Sequence, residues 1–399
     1  MAHMLPFADA LQRIVESAPV MASERVELGL ALGRVLAEDL MARAPLPGFD
    51  YSAMDGYAIA RSSFTGAGPW SLPVHGESRA GALAAPLLTG TACRIFTGAP
   101  IPEAADAVVM QEDVTREGDR AGFTVAPALG AHIRRRGEDL PEGALALAKG
   151  TRLTPFQIGL AAAVDRNELL VARRPRVTIL CTGEELRSPG SPATPGTIPD
   201  SNGPSLAALV AATGAIPVLA PRTGDTLEAT EAALRAALRG CDLLLTVGGV
   251  SVGEHDLVRA ALTSVGAELE FWKVQIRPGK PLAFGRHGET LILGLPGNPV
   301  SAQLTFALFG MPLLRAMQGD LRPIPPRGRA RLQNALPQKP GRTSFYRARL
   351  EGDLAITASN QASGSAASLA HADALVILPA DSAGLAAGES VELIRLAEL

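Results

Sequence analysis

The chain has 399 residues, 37 basic and 40 acidic, and a net charge of −3. One hydrophobic core stops growing well below that length, so several domains are expected, and the near-neutral balance gives no overall field for nucleic acid or an anionic membrane. No run nears the roughly 18 to 20 uninterrupted apolar residues of a membrane span, no leader precedes a cleavage site, and Cys93, Cys181 and Cys241 show no metal-ligand spacing. A cytoplasmic protein without disulfides or structural zinc is expected, with Met1-Ala2-His3 read as an expression remnant before a start at Met4.

Between residues 6 and 40, Leu11, Ile14 and Val15, then Leu28, Leu30, Leu32, Val35 and Leu36, recur at helical spacing. Two helices are predicted there, with an extended break at 18–26. Residues 45–136 change to short β-like runs broken by Gly and Pro, at 57–60, 93–97 and 107–110, the pattern of a β-rich insertion. A helix at 155–164 and a strand near 169–171 follow. Residues 4–46 and 137–172 are therefore expected to form one discontinuous helical linker domain around an insertion domain at 47–136.

After the basic connector 173–176, apolar strands alternate with amphipathic helices. Strands are predicted at 177–181, 216–220, 242–247, 269–274, 281–284 and 291–293, and helices at 204–212, 227–239, 256–265 and 299–317. This is a multidomain α/β plus β chain whose 173–320 region is a doubly wound, mostly parallel α/β domain. The Pro-rich stretch 322–326 reads as a linker. Short strands at 345–350, 375–378 and 391–394 predict a small C-terminal β-barrel over 321–399.

Ligands of open parallel sheets bind outside the carboxyl ends of the strands. The loop after 177–181 is Thr182-Gly183-Glu184-Glu185-Leu186, and the loop after 242–247 carries Gly248, Gly249, Ser251 and Gly253. Such glycines either form an N–H nest for phosphate or make a tight strand-to-helix turn. Downstream, RPGKP at 277–281 supplies Arg277 and Lys280, while Asn298 and Pro299 cap the next helix. Neither a Walker-type phosphate loop nor a dinucleotide fingerprint is present, which argues against an ATPase of that type and a nicotinamide dehydrogenase. Asp50 and Asp55 crowd a turn-rich segment, and Arg134, Arg135 and Arg136 form either a solvated charge run or an anion site. Carboxylates without His or Cys partners suit a hard ion such as Mg²⁺.

The segments FDYSAMDGYA at 49–58, RIFTGAPIP at 94–102, RRRGEDLPEG at 134–143, TGEEL at 182–186, GGVSVGEHD at 248–256, RPGKP at 277–281 and GLPGNPVSA at 294–302 occur in one order. Together they resemble the molybdopterin molybdotransferase family, which includes the C-terminal enzymatic region of gephyrin, and the resemblance runs nearly end to end. It implies an elongated four-domain homodimer in which 173–320 binds molybdopterin. The implied reaction hydrolyses adenylylated molybdopterin with Mg²⁺ assistance, inserts molybdate, and releases molybdenum cofactor and AMP; the molybdopterin adenylyltransferase of the preceding step is an implied partner. Carried onto matching positions, Asp55, Thr97, Asp139, Glu185, Asp225 and Asp256 are active-site polar residues, with Glu185 and Asp256 the metal or phosphoanhydride contacts. Gly248, Gly249 and Ser251 would cradle the pterin phosphate, and Lys273, Arg277 and Lys280 would supply positive charge beside the Pro296–Pro299 turn. Asp55, Thr97 and Asp139 would act across the dimer.

Two positions depart from the family pattern: Tyr51 stands where Asn is common, and Arg277 where Lys is common, offering a fork in place of a point charge. Three rival readings are an adenylyltransferase, a non-catalytic scaffold and a hydrolase of nucleotide pyrophosphates. The first resembles the sheet domain alone, and the retained carboxylates weigh against the second. The third would need no molybdate.

Overall fold

The computed structural model describes residues 4–224, 226–249 and 257–399. Its centre is a six-stranded sheet in the order Ile216–Leu219, Arg176–Cys181, Leu243–Val247, Thr290–Leu295, Pro281–His287, Glu268–Lys273. The first four strands run parallel, and Pro281–His287 runs antiparallel to both of its neighbours, Thr290–Leu295 and Glu268–Lys273. Strand alternation sends Val177, Ile179 and Cys181 into one core and Leu180 into another. The helices Phe7–Glu16, Asn202–Ala212 and Pro299–Thr305 cover the first face, and Leu227–Ala237 and Leu257–Ser264 the second. Burial on both faces explains why these strands read as unbroken apolar runs.

Pro299–Thr305 continues through a π-helical turn, Phe306–Gly310, into Met311–Met317. This 19-residue span is apolar and long enough to cross a membrane, but it is 83% buried, as the core helix of a packed domain is. Gly310 is required within it, because a Cβ there would run into the Phe306 ring.

The N-terminal region corrects one expectation. Among the described residues a single α-helix, Phe7–Glu16, precedes residue 45; the expected extended break holds the strand Ser23–Glu27, and the second predicted helix is only a short 3-10 turn, Leu28–Leu30. The strand pairs antiparallel with Glu168–Ala172, a partner more than a hundred residues away that local periodicity cannot register. Gly33, at φ +73°, further interrupts the pattern, and Leu30 and Leu32 are exposed. The helix Phe7–Glu16, grouped by sequence with the linker unit, packs into the sheet domain: Phe7 meets Phe309 at 5.3 Å and Phe345 at 5.1 Å between ring centroids.

The insertion is a second six-stranded sheet, with Gly56–Ile59 between Ala107–Met110 and Ala92–Ile95. At the C-terminus, Thr343–Glu351, Leu354–Thr357, Gly328–Leu332, Ser390–Arg395 and Ala374–Leu378 pair in turn and return to Thr343–Glu351, closing a five-stranded barrel. A two-residue strand, Ile276–Arg277, pairs parallel with Thr343 and Ser344 and so ties the sheet domain's RPGKP loop to the barrel wall.

The connector into the sheet is fixed by a half-buried ion pair. Arg173 donates to both Asp242 carboxylate oxygens, at 3.0 and 2.8 Å, and the Arg176 amide donates to Oδ2 at 2.7 Å. Burial pushes the Asp242 carboxyl up, but the Arg173 and Arg176 donors outweigh it and hold the group below the usual carboxylate range. A depressed carboxyl stabilises the fold above its unfolded pKa, and the contribution disappears as pH falls through the folded value. Asp242→Asn should therefore cost about 1–3 kcal/mol at neutral pH. In urea melts the gap from the parent should begin to close below about pH 4, and a pH-independent difference would rule out this linkage.

Candidate active site

The carboxyl ends of Arg176–Cys181, Leu243–Val247 and Thr290–Leu295 open on a cavity of about 720 Å³. Thr182, Glu185, Gly248, Gly249, Pro296 and Pro299 are among its lining residues. The glycines are demanded by backbone proximity. Gly248 has φ +91°, and a Cβ would stand 2.9 Å from the Thr182 carbonyl oxygen; Gly249 has φ +62°, and a Cβ would strike Val258. Backbone in that left-handed region favours glycine and leaves the loop free to approach a ligand closely.

Asn202 completes the same wall. The Asp200 carboxylate accepts from the N–H groups of Asn202 and Gly203, both at 3.0 Å, which anchors the start of Asn202–Ala212. Asn202 then donates from Nδ2 to the Gly297 carbonyl at 2.8 Å, while its Oδ1 is buried with no partner among the described residues. Sequence reading assigned this stretch no role; the Asp-x-Asn pattern before a helix was the available signal. Cys181, at the strand end beneath, is sealed in: burial pushes its thiol up to about 12, so it brings no thiolate chemistry to the cleft at neutral pH.

A smaller cavity of about 370 Å³ adjoins the first, the two sharing Pro281 and Ser301. Among the described residues its walls carry three cationic side chains, Arg277, Lys280 and Arg342, and no carboxylate. Ser301, Gln361 and Ser363 add neutral hydrogen-bonding groups. Arg342 and Ser363 were invisible as site residues from sequence because they come from the barrel, brought over by the Ile276–Arg277 pairing. Lys273 ends the strand Glu268–Lys273 and lines neither cavity.

Asp55 and Thr97 form a unit on the insertion domain, apart from both cavities. One Asp55 oxygen accepts from the Thr97 amide at 2.7 Å and from its hydroxyl at 2.9 Å. The Thr97 amide, helped by the hydroxyl, holds the exposed carboxyl below its usual range. Asp139 pairs with Arg134 at 2.8 Å and also lies outside both cavities. Each arginine of the 134–136 run has an acidic partner, Glu138 and Asp139 for Arg134, Asp50 for Arg135 and Glu142 for Arg136. The charged run thus ties the segment internally, which favours the solvated reading.

Asp225, Ser251 and Asp256 lie outside the described residues. Among the described residues no group of three His, Cys, Asp or Glu could cage a metal. Glu185 in the cavity wall still suits Mg²⁺, which is commonly held by one or two carboxylates together with substrate phosphates.

A parallel sheet whose strand ends carry a glycine-lined cleft beside a cationic pocket defines an α/β protein built for anionic small molecules. Comparison with known proteins sharpens that class. The profile of the MoeA N-terminal region, domains I and II, matches residues 5–164; that of a probable molybdopterin binding domain matches 178–316; and that of the MoeA C-terminal region, domain IV, matches 329–396. Molybdopterin molybdenumtransferase 2 of Mycobacterium tuberculosis is 40% identical over 92% of this chain and 94% of its own length. The molybdopterin molybdenumtransferase of Haemophilus influenzae is 35% identical over 98% of both chains. Crystal structures of a MoeA protein from Pyrococcus horikoshii match with TM-scores of 0.82 and 0.87, at 31% and 32% identity, over 98% of this chain and 99% and 100% of those chains. The chain belongs to the molybdopterin molybdenumtransferase family, MoeA.

Proposed function

We propose that the chain takes adenylylated molybdopterin and molybdate and returns molybdenum cofactor and AMP. Family membership makes it an enzyme of molybdenum insertion in cofactor biosynthesis. The observation that carries the finer reading is the adjoining pair of cavities: a glycine-walled cleft suited to a phosphorylated pterin, opening on a pocket with three cations and no carboxylate, suited to a dianionic oxyanion.

In this reading Gly248 and Gly249, with Ser251, offer N–H and hydroxyl donors to the pterin phosphate. Arg277, Lys280 and Arg342 hold molybdate beside the dithiolene, and the Pro296–Pro299 turn shapes the wall between them. Glu185, with Asp256, would hold Mg²⁺, which when bound would neutralise charge developing on the phosphoanhydride. Asp225 is the further acid of the sheet domain. Water adds across the phosphoanhydride, giving AMP and molybdopterin that keeps its own phosphate. Asp55, Thr97 and Asp139 lie too far round the same chain to line either cavity, which supports a homodimer in which a second copy presents them to the cleft. The Asp55 carboxylate, kept ionised by Thr97, would bind a cation. A cytoplasmic setting, with the adenylyltransferase as supplier of substrate, completes the proposal.

The test is incubation of the purified protein with adenylylated molybdopterin, Mg²⁺ and molybdate, following AMP release and reconstitution of a molybdenum-free apoenzyme. Molybdate-dependent AMP release with active cofactor is expected. Tight molybdopterin binding without turnover would instead favour a scaffold.

A further inference from the structure

Among the described residues Arg347 is the largest fully buried side chain, at 0% exposure, and no carboxylate pairs with it. A lone guanidinium in a barrel wall is costly, so its donors should have a structural object. The donors that find partners reach residues 360–368, while Nη1 is buried with no partner among the described residues. Nε donates to Ser368 Oγ at 2.9 Å, and Nη2 donates to the carbonyls of Asn360 at 3.1 Å and Ala362 at 3.2 Å. The backbone of Arg347 grips the residue between: its amide donates to Gln361 Oε1 at 3.1 Å, and its carbonyl accepts from Gln361 Nε2 at 2.9 Å.

The segment so held faces the cationic pocket on its other side. Gln361 and Ser363 line that pocket, as do Tyr346 and Phe345, the residues just before Arg347. Ser363 also reaches the sheet domain, where its carbonyl accepts from the Val300 amide at 3.1 Å and its hydroxyl accepts from Asn298 Nδ2 at 3.1 Å. The 360–363 segment is therefore a bridge between the barrel and the turn at the mouth of the cleft, and Arg347 is its anchor.

We infer that Arg347 is a positioning residue for the oxyanion pocket, fixing residues 360–363 from behind so that Ser363 meets the anion in one geometry. This rests on the assignment of that pocket to molybdate. The role requires a planar fork that spans two carbonyls and a hydroxyl, which a lysine ammonium cannot reproduce. Charge alone is not what the segment reads.

The experiment is calorimetric titration of the full-length protein with sodium molybdate, and separately with molybdopterin, for the parent, Lys280→Met, Arg347→Met, Arg347→Lys and Ser368→Ala. Both Arg347 variants should bind molybdate roughly tenfold more weakly, and Ser368→Ala about threefold, since it deletes one of the three acceptors without touching the pocket. Molybdopterin affinity in the cleft should stay within about twofold of the parent, a split that general loss of packing would not produce. Parent-like molybdate affinity in Arg347→Lys overturns the positioning role, as does an equal loss of both ligands. If Arg347→Met does not fold, Ser368→Ala and Arg347→Lys decide. Should the parent itself bind no molybdate, or Lys280→Met bind it as well as the parent does, the pocket assignment fails and this inference falls with it; parent-like Arg347 variants beside a weakened Lys280→Met remove the inference alone.

Discussion

Lys280→Met raises the molybdate concentration needed for half-maximal transfer by roughly ten- to a hundredfold, with little change in molybdopterin binding. The magnitude follows from deleting one charge-assisted contact of about 1.5–3 kcal/mol in a pocket that holds three cations among the described residues. Lys280 is the point charge of the set, flanked by two arginines whose forks are directed by their own backbone: Arg277 through its pairing with Ser344, Arg342 through the adjoining strand start at Thr343. Because no carboxylate lines the pocket, the remaining charge cannot be balanced internally, and the defect should be relieved by higher molybdate concentration. Transfer assays over a molybdate series at constant ionic strength measure this directly, and an unchanged half-saturation point would take Lys280 out of oxyanion binding.

Asp320→Ala should destabilise the chain by about 3–5 kcal/mol, the usual cost of removing one partner from a buried ion pair. Asp320 receives Arg152 Nε at 2.8 Å, with only 9% of the aspartate side chain exposed. Burial pushes the nearby Arg315 guanidinium down, Arg152 adds to that, and Asp320 opposes both. Without the carboxylate, two part-buried guanidinium groups face one another. Arg152 also donates to the carbonyls of Gly33 at 2.8 Å and Thr213 at 3.1 Å, so the same lesion loosens the junction between the linker unit and the sheet domain. Thermal and urea melts of Asp320→Ala against Asp320→Asn test it; a loss under about 1 kcal/mol would show that the arginines find water or other acceptors.

The parallel core was legible because strands buried on both faces write continuous apolar runs, and 107–110 and 227–237 also emerged close to their observed bounds. The glycine loops at 182–186 and 248–249 were legible for a related reason: backbone that must turn tightly at a strand end needs a residue type visible in sequence. What stayed hidden depends on partners far along the chain. The extended stretch and the first helix were expected, but not the pairing of Ser23–Glu27 with Glu168–Ala172 or the docking of Phe7–Glu16 on Phe309 and Phe345. Arg342, Gln361 and Ser363 look like ordinary polar residues of a small barrel until register and closure bring them opposite Lys280. Arg347 is the extreme case, a charged strand residue that the fold buries completely.

The pairing of Ile276 and Arg277 with Thr343 and Ser344 has a bearing on how the chain can be cut and recombined. The Pro-rich stretch at 322–326 looks like a natural splice point, yet a graft made there would carry away half of the walls around Lys280 and leave an unmatched edge on each side. Covalent modularity and chemical modularity do not coincide in this molecule. A hybrid that exchanges the barrel must also exchange residues 275–281 and 298–301 to keep the seam in register, and relatives that differ on one side of that seam should differ in compensation on the other.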